Sequence, residues 1–307
     1  MCFSNKKQRK AFALSIVLWI VAALMLGIAF IMGISKETIH LTRMLQDKTT
    51  ATIEAQNMLE ILKFQIPTAN HDARSFILTN KILSELPDKI IPDGRKYHVN
   101  HTTFYLRDTS SLFNVLSPVP LILSELTTDT RELRFTLQNS LSDWMDEDGT
   151  VRLNGAEEAY YRIKKNVAFL PRNTPAIQSP DELRIIKGFD TLPIDQWKKL
   201  KQQLYYGKKT PRNLTLLTPK QLSVILQIDR RQAEIYTTIR SEDLPLFIRT
   251  VSGLKTFYDE SMDFRISNHL HIHIETQVGE GRYVIDTLID FRSNAIRPFT
   301  IERYQAF

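Results

Sequence analysis

Cysteine is nearly absent from this sequence, because the 307 residues contain only Cys2. No disulfide can form within the chain, and the residues after Cys2 offer no thiolate to a metal. A domain exported to an oxidising compartment would therefore be stabilised by packing or by a metal ion. Thiol catalysis is excluded for everything beyond this short leader.

Glycine and proline are also scarce, with 10 and 13 residues, and the sequence has no biased tract or internal repeat. A collagen-like, linker-rich or low-complexity protein is thereby excluded. Hydrophobic residues make up 43% of the chain, which is enough for a sizeable core. We expect one large or two modest folded domains.

The formal charge of +6 is concentrated at the N-terminus, where Lys6, Lys7, Arg9 and Lys10 precede a long apolar run. Without these four residues the charge is +2. A nearly neutral body lacks the basic surface that binds nucleic acid, so nucleic acid is not an expected partner. The helical segment Leu217–Ile239 resembles a helix-hairpin-helix module but lacks the glycines that such a module needs. The sequence also has no nucleophile elbow, phosphate loop or recognisable catalytic carboxylate pair, so nothing favours an enzyme.

Residues Ala11 to Ile34 carry no charge over twenty-four positions. At about 1.5 Å per residue such a helix crosses the roughly 30 Å hydrocarbon layer. The preceding positive charges place the N-terminus in the cytoplasm and the rest of the chain outside. A cleaved signal peptide usually has a shorter apolar run, and a plain membrane anchor remains an alternative.

The helix is predicted to continue beyond the membrane as a stem, because the segment Lys36–Phe64 contains no glycine or proline. Pro67 is predicted to end it. Apolar residues recur there at spacings of three and four: Ala51, Ala55, Met58, Leu59 and Leu62.

The remaining sequence predicts an α+β fold. Lys96–Asp108 has the pattern of a strand, and the tail predicts a hairpin turned at Gly279–Gly281 and a last strand near Arg297–Tyr304. Between them lie segments with helical signals: Pro118–Leu126, Asp129–Trp144 (with Asp129 as N-cap), Pro180–Lys187, Pro193–Leu204, Thr218–Leu226 and Arg230–Ile239. We therefore predict an antiparallel sheet interrupted by a large α-helical subdomain.

Three stretches carry a family resemblance: KKQRKAFALSIVLW, DTSSLFNVLSP and SPDELRIIKGFD. The first resembles a type IV prepilin leader that abuts its hydrophobic helix, and all three together resemble the K-type minor pseudopilins of the type II secretion system. The resemblance implies cleavage by prepilin peptidase between Ala11 and Phe12 and methylation of the new Phe12 amine. It also implies that Ile16 occupies the position where most pilins have a glutamate. K-type members lack this glutamate and cap the tip of the filament.

The resemblance also implies a domain organisation and a location. The domains would be a leader at 1–11, a transmembrane helix at 12–34, a periplasmic stem at 35–66, a pilin-like α/β domain at 67–117 and 253–307, and an inserted helical domain at 118–252. The protein would be a single-pass inner-membrane protein with a periplasmic C-terminal domain. Its partners would be other minor pseudopilins, prepilin peptidase and secreted substrates. The alternatives are an anchored periplasmic sensor or adaptor, and a minor pilin of a related type IV pilus.

An acidic stretch is the candidate metal site. Five carboxylates lie within sixteen residues and can converge if the chain folds back at Asn154 and Gly155: Asp143, Asp146, Asp148, Glu157 and Glu158. Hard oxygen ligands in a loop suit calcium, although the spacing is not that of an EF-hand. The alternative is a solvated acidic loop that caps a helix. The resemblance favours structural calcium, since K-type members bind calcium near a similar stretch.

Three histidines alternate along the predicted strand before Gly279, so His269, His271 and His273 share one face with Glu275. Neighbouring same-face residues lie about 6.5 Å apart, which is too far for all three to reach one zinc ion easily. We therefore predict a polar outer face of the sheet here.

Overall fold

The computed structural model of the chain describes residues 5–116, 118–164, 171, 173–174, 176–207, 211–254, 262–291 and 298–307, with helical side chains from residue 16 onward. The first four residues and Arg297, the predicted start of the last strand, lie outside this range. The side chains at the predicted cleavage position, Ala11 and Phe12, also lie outside it.

A single helix dominates the N-terminal fifth of the chain. Helix α1 spans Asn5–Thr68, so the transmembrane and stem segments form one element. Pro67 lies in its last turn, and Thr68 closes the helix with a hydroxyl that donates to the carbonyl of Phe64 (2.9 Å). Because proline has no amide hydrogen, the helix cannot continue far beyond it.

A five-stranded antiparallel sheet packs on the second half of this helix. The strands of the chain are β1 (Asn70–His71), β2 (Phe76–Ile77), β3 (Lys89–Ile90), β4 (Tyr97–Val99), β5 (Thr102–Asp108), β6 (Phe113–Asn114), β7 (Leu204–Tyr205), β8 (Arg212–Asn213), β9 (Met262–Asp263), β10 (His269–Val278), β11 (Gly281–Asp290) and β12 (Thr300–Ala306). The large sheet has the order β12-β11-β10-β5-β4. The predicted tail hairpin is β10–β11, and Gly279 takes a positive φ (+54°) at its turn.

Alternation along the strands creates the first core. Leu270, Ile272 and Ile274 of β10 face α1 together with Ile285 and Ile289 of β11. The helix contributes four of the five apolar residues predicted for the stem and one more: Ala55, Met58, Leu59, Leu62 and Ile66. The fifth predicted residue, Ala51, is also buried. Burial of this stripe holds the stem on the sheet.

The segment between β5 and β10 is mainly helical and has its own core. Its helices are α2 (Pro120–Thr127), α3 (Arg131–Met145), α4 (Ile194–Lys201), α5 (Pro219–Leu226), α6 (Arg230–Glu242) and α7 (Leu244–Ser252). Tyr160–Lys164 forms one π-helical turn, and Pro180–Ile185 is a 3₁₀ helix. Trp144, Tyr161, Phe189 and Phe247 are fully buried at the centre of this helical domain. We did not predict α7 from the sequence.

Most predicted helices are present with boundaries shifted by a few residues. Thr218 caps α5 in a capping box with Gln221. Asp129 does not cap α3, because the helix begins at Arg131 after Thr130, and the Asp129 carboxylate pairs with Lys220 instead (3.2 Å). The predicted α+β class is confirmed: a long N-terminal apolar helix, an antiparallel sheet and further helices.

The helical domain and the membrane-proximal stem lie at opposite ends of the sheet. At one end, the β10–β11 turn rests on the stem, where the Glu280 amide donates to Asp47 (3.2 Å). At the other end, the β5 residue Arg107 donates to the carbonyl of Gln202 in the helical domain. The helical domain is therefore at the end of the sheet that is distal to the apolar half of α1.

Candidate functional site

The acidic loop follows α3 directly. Asp143 lies in the last turn of the helix, and Asp146 is the first residue after it. The chain then turns back at Asn154, which has a left-handed φ of 61°, and the Gly155 amide donates to the carbonyl of Arg152 (2.8 Å). This fold-back at Asn154 and Gly155 brings the two acidic halves of the loop together.

Three of the five predicted carboxylates form a cluster. Ligand oxygens of Asp146, Asp148 and Glu157 lie within 4.8 Å of one another. Glu157 is only 6% exposed, and among the described residues its Oε1 atom and Oδ1 of Asp146 have no hydrogen-bond partner. Buried carboxylate oxygens are normally satisfied, so these two atoms are open to a further ligand.

The electrostatics of Glu157 reflect this missing partner. Burial, together with the charges of Asp143, Asp146 and Asp148, raises the pKa of Glu157 to about 7. A divalent cation among these oxygens would offset both the burial and the repulsion that raise this pKa. The donor set therefore fits a hard cation such as calcium, which takes oxygen ligands at 2.3–2.6 Å.

Asp143 has a different environment. Its buried carboxylate accepts hydrogen bonds from the Arg152 guanidinium (2.7 Å) and from the amides of Arg152 (3.2 Å) and Ala156 (2.8 Å). The same guanidinium also donates to Asp146. Hydrogen bonds to Asp143 and Asp146 raise the pKa of Arg152 above its usual range. Asp143 thus fixes the loop, and the Arg152 guanidinium links Asp143 to the cluster through Asp146.

Glu158 lies outside the cluster. Its exposed carboxylate pairs with Arg162 one helical turn later (2.7 Å). An open cleft of about 600 Å³ adjoins the loop and is lined by residues that include Asp148, Glu157, Glu158 and Ile163. One side of the cluster is therefore accessible to solvent.

Arg152 was missed by the sequence reasoning. A single cation inside an acidic stretch was the available signal, because a carboxylate cluster needs a partner. No spacing rule connects it with Asp143, which lies nine residues earlier.

The histidines of β10 lie on one face as predicted, but this face is only partly exposed. His271 Nε2 and His273 Nδ1 contact the two carboxylate oxygens of Asp286 on β11 (2.8 and 3.2 Å). His269 is completely buried and lies between Thr109 (3.0 Å) and Glu302 (3.0 Å). The prediction of a polar outer face is wrong for His269, since the helical domain covers that end of the strand.

The N-terminal half of α1 has no packing partner among the described residues. It is the one helix in the described part of the chain that is long and apolar enough to cross a membrane. Trp19 is 76% exposed, and Ile16 also lies on the exposed surface. These features fit a single-pass membrane anchor.

Comparisons with known proteins agree with this architecture. Residues 121–201, which contain the whole acidic loop, match the family model for type II secretion system (T2SS), protein K. No curated protein sequence matches the chain.

A solved structure has a similar fold. It is a chain of the crystal structure of the GspK-GspI-GspJ complex from the enterotoxigenic Escherichia coli type 2 secretion system, with 18% sequence identity and a TM-score of 0.54. The alignment covers 87% of this chain and 99% of that chain. The family match inside the helical domain and the shared fold bear out the predicted resemblance of the chain to the K-type minor pseudopilins of the type II secretion system.

Proposed function

We propose that this protein is a non-enzymatic subunit that caps the tip of the periplasmic pseudopilus and supports its assembly for protein export. The position of the helical domain is the observation that carries the proposal. This domain lies at the end of the sheet distal to the membrane, where a subunit added above would pack. A bulky domain at this end blocks further addition, while the stem below stays open.

Ile16 supports the same placement. A carboxylate inside the hydrocarbon layer is costly unless a neighbouring positive charge neutralises it. In a filament, the carboxylate of one pilin would need the N-terminal amine of another. A subunit at the tip has no subunit above it, so an apolar residue is favoured at this position.

The expected partners are other minor pseudopilins. The similar solved structure is a complex of GspK with GspI and GspJ. In this chain, the stem exposes apolar residues that a second helix could cover: Ile39, Leu41, Leu45 and Ile53. Packing of such stems would hold the assembly together, and secreted substrates would contact its tip.

The membrane helix would be processed and oriented as in other prepilins. Prepilin peptidase would cut between Ala11 and Phe12, and the Phe12 amine would then be methylated. The N-terminus would lie in the cytoplasm and the sheet and helical domains in the periplasm, because the positive charges precede the span. Mass spectrometry of the membrane-extracted protein should find N-methylated Phe12. An intact Met1 in cells with active peptidase would instead favour an anchored sensor or adaptor.

Calcium would have a structural role in the helical domain. Asp146, Asp148 and Glu157 would hold the ion, and Asp143 would fix the loop through Arg152. The ion would bind the two buried oxygens, Oδ1 of Asp146 and Oε1 of Glu157, that have no hydrogen-bond partner among the described residues. Glu158 would remain outside the coordination shell, since it is paired with Arg162.

Labelling of assembled filaments tests the tip assignment. Ser241 is exposed on α6 of the helical domain, so a cysteine placed there can be labelled with maleimide-coupled gold. On filaments grown by overexpression of the major subunit, we expect the label at one end. Regular spacing of the label along the shaft would contradict capping even though the family is correct.

A further inference from the structure

The two edges of the large sheet differ in length. At one edge, β4 has three residues, and the segment next to it continues the pairing through a bridge between Asp93 and Arg107. At the other edge, β12 has seven residues. Within the described residues, no strand pairs with the outer side of β12. Such an edge presents a row of free main-chain donors and acceptors.

The register identifies the groups that point outward. The main chains of Phe307 and Val284 exchange two hydrogen bonds (2.9 and 3.1 Å), so Phe307 points its polar groups at β11. Hydrogen-bonded and non-hydrogen-bonded pairs alternate along antiparallel strands. Tyr304 and Ala306 pair with β11 in the alternate positions, so their N–H and C=O groups face the open edge.

The side chains of this edge are unusual for a strand left in water. Ile301, Tyr304 and Phe307 are 41, 46 and 67% exposed. The strand has no lysine or proline, and its two charged residues are engaged across the sheet, Glu302 with His269 and Arg303 with Asp286. The register shifts near Glu302, so the regular part of the edge begins at Arg303.

The position of β12 relative to the stem indicates what can reach it. Helix α1 packs mainly across β11 and β10 and less on β5. Since β12 lies on the far side of β11 from β10, it flanks the stem. A protein whose helix packs alongside α1 on this flank meets the open edge.

We propose that β12 is the docking edge for a neighbouring minor pseudopilin, which adds an extended segment to the sheet through the main chain of Tyr304 and Ala306. The inserted segment would be apolar or β-branched, to cover Ile301 and Tyr304. This proposal rests on the proposed function, because the neighbour is the subunit whose stem packs beside α1. The sequence of this neighbouring subunit would itself begin with a prepilin leader that directly precedes an apolar helix.

Site-specific photocrosslinking of the full-length chain in its native membrane tests the proposal. A benzophenone side chain would replace Tyr304 on the open edge, the exposed Ile53 on the stem, or the exposed His98 on the opposite edge. We expect Tyr304 and Ile53 to capture the same prepilin-leader protein and His98 to capture none of it. Capture at Ile53 but not at Tyr304 would overturn the docking edge and leave the proposed function standing. Failure to capture at Tyr304 and at Ile53 would count against the docking edge and against the proposed function. Capture of a second copy or of an exported protein at Tyr304 would overturn the choice of partner.

Proline substitution separates main-chain pairing from side-chain contact. Tyr304→Pro removes an outward N–H without removing a hydrogen bond to β11, and Ala306→Pro does the same two residues later. We expect each to lower the yield of the complex by about tenfold, because the ladder to the neighbour loses a hydrogen bond and its geometry. Tyr304→Phe should leave the yield unchanged. Thermal unfolding followed by tryptophan fluorescence would verify that the variants are folded. If both folded proline variants gave as much complex as the wild type, main-chain pairing at β12 would be refuted.

Discussion

Gly155 lies directly against the buried carboxylate of Asp143, so that a Cβ atom on Gly155 would stand 1.9 Å from Oδ2. This contact lets the loop return close enough for the Ala156 amide to reach the same oxygen (2.8 Å). The return in turn places Glu157 beside Asp146. The geometry of the acidic cluster therefore depends on a residue without a side chain.

Gly155→Ala should destabilise the helical domain by about 1–3 kcal/mol, because the new methyl group must displace a buried, hydrogen-bonded carboxylate. Gly149→Ala is the matched control, since no atom lies within 4 Å of a Cβ at that position of the same loop. Urea unfolding followed through Trp144 and Trp197 would measure both. Equal urea-unfolding midpoints for the two variants would show that the loop accommodates the methyl group without a loss of stability.

Removal of calcium should lower the melting temperature of the protein. A ligand that binds only the folded state adds about 2.7 kcal/mol at one hundred times its dissociation constant. The double variant Asp146→Ala, Asp148→Ala should melt identically with calcium and with chelator. Glu158→Gln, outside the cluster, should keep the full calcium response. A wild-type protein that melts at one temperature in both buffers would refute the site.

The sequence predicted the acidic loop but not the separate roles of its members. Composition and the turn residues Asn154 and Gly155 were sufficient to bring the carboxylates together. Which carboxylates stay unpaired depends on where Arg152 and Arg162 reach, and side-chain reach in a loop follows no sequence period. The pairing therefore became visible only in three dimensions.

The fold was predictable where a period or a turn signal was strong. The apolar run, the stem stripe and the turn at Gly279 each have a local cause, and each lies where the sequence placed it. Helix α7 was missed although Asp243 caps it and a proline follows in its first turn. The burial of His269 was missed for another reason. Strand alternation predicted that His269 lies on the outer face of the sheet, but the helical domain covers this face at the start of β10.

The Asp286 network should make stability depend on pH. Burial alone would raise the pKa of Asp286, but hydrogen bonds from His271 and His273, with the charge of Arg303, hold it well below its ordinary value. Tyr105 stacks on His273 and completes the surroundings (4.7 Å between ring centres). The stabilisation that a depressed carboxyl pKa provides is fully present above the unfolded-state value of about 3.9, and it declines as the pH falls from there towards the folded-state pKa.

Asp286→Asn is the variant that isolates this effect. At pH 7 it should lose about 1–3 kcal/mol of unfolding free energy, since a charge-assisted acceptor becomes neutral. The difference from wild type should shrink as the pH is lowered from 5 to 3. Urea unfolding at each pH would measure it. A difference that stays constant over this range would mean that the network contributes through packing and not through charge.

Ile16→Glu should impair the protein if it occupies the tip. The new carboxylate would lie in the apolar helix, where an unpaired charge costs at least about 2.5 kcal/mol near the centre of the span. In the shaft of a filament this charge would be neutralised by the amine of the subunit above, but at the tip no such amine exists. We therefore expect less membrane-inserted protein, or a subunit that moves from the tip into the shaft, as measured by the gold label at position 241 on assembled filaments. Ile16→Val keeps the position apolar and should behave as wild type. Normal insertion and unchanged tip labelling of Ile16→Glu would show that an unpaired carboxylate is tolerated there, and the absence of the pilin glutamate would then no longer support capping.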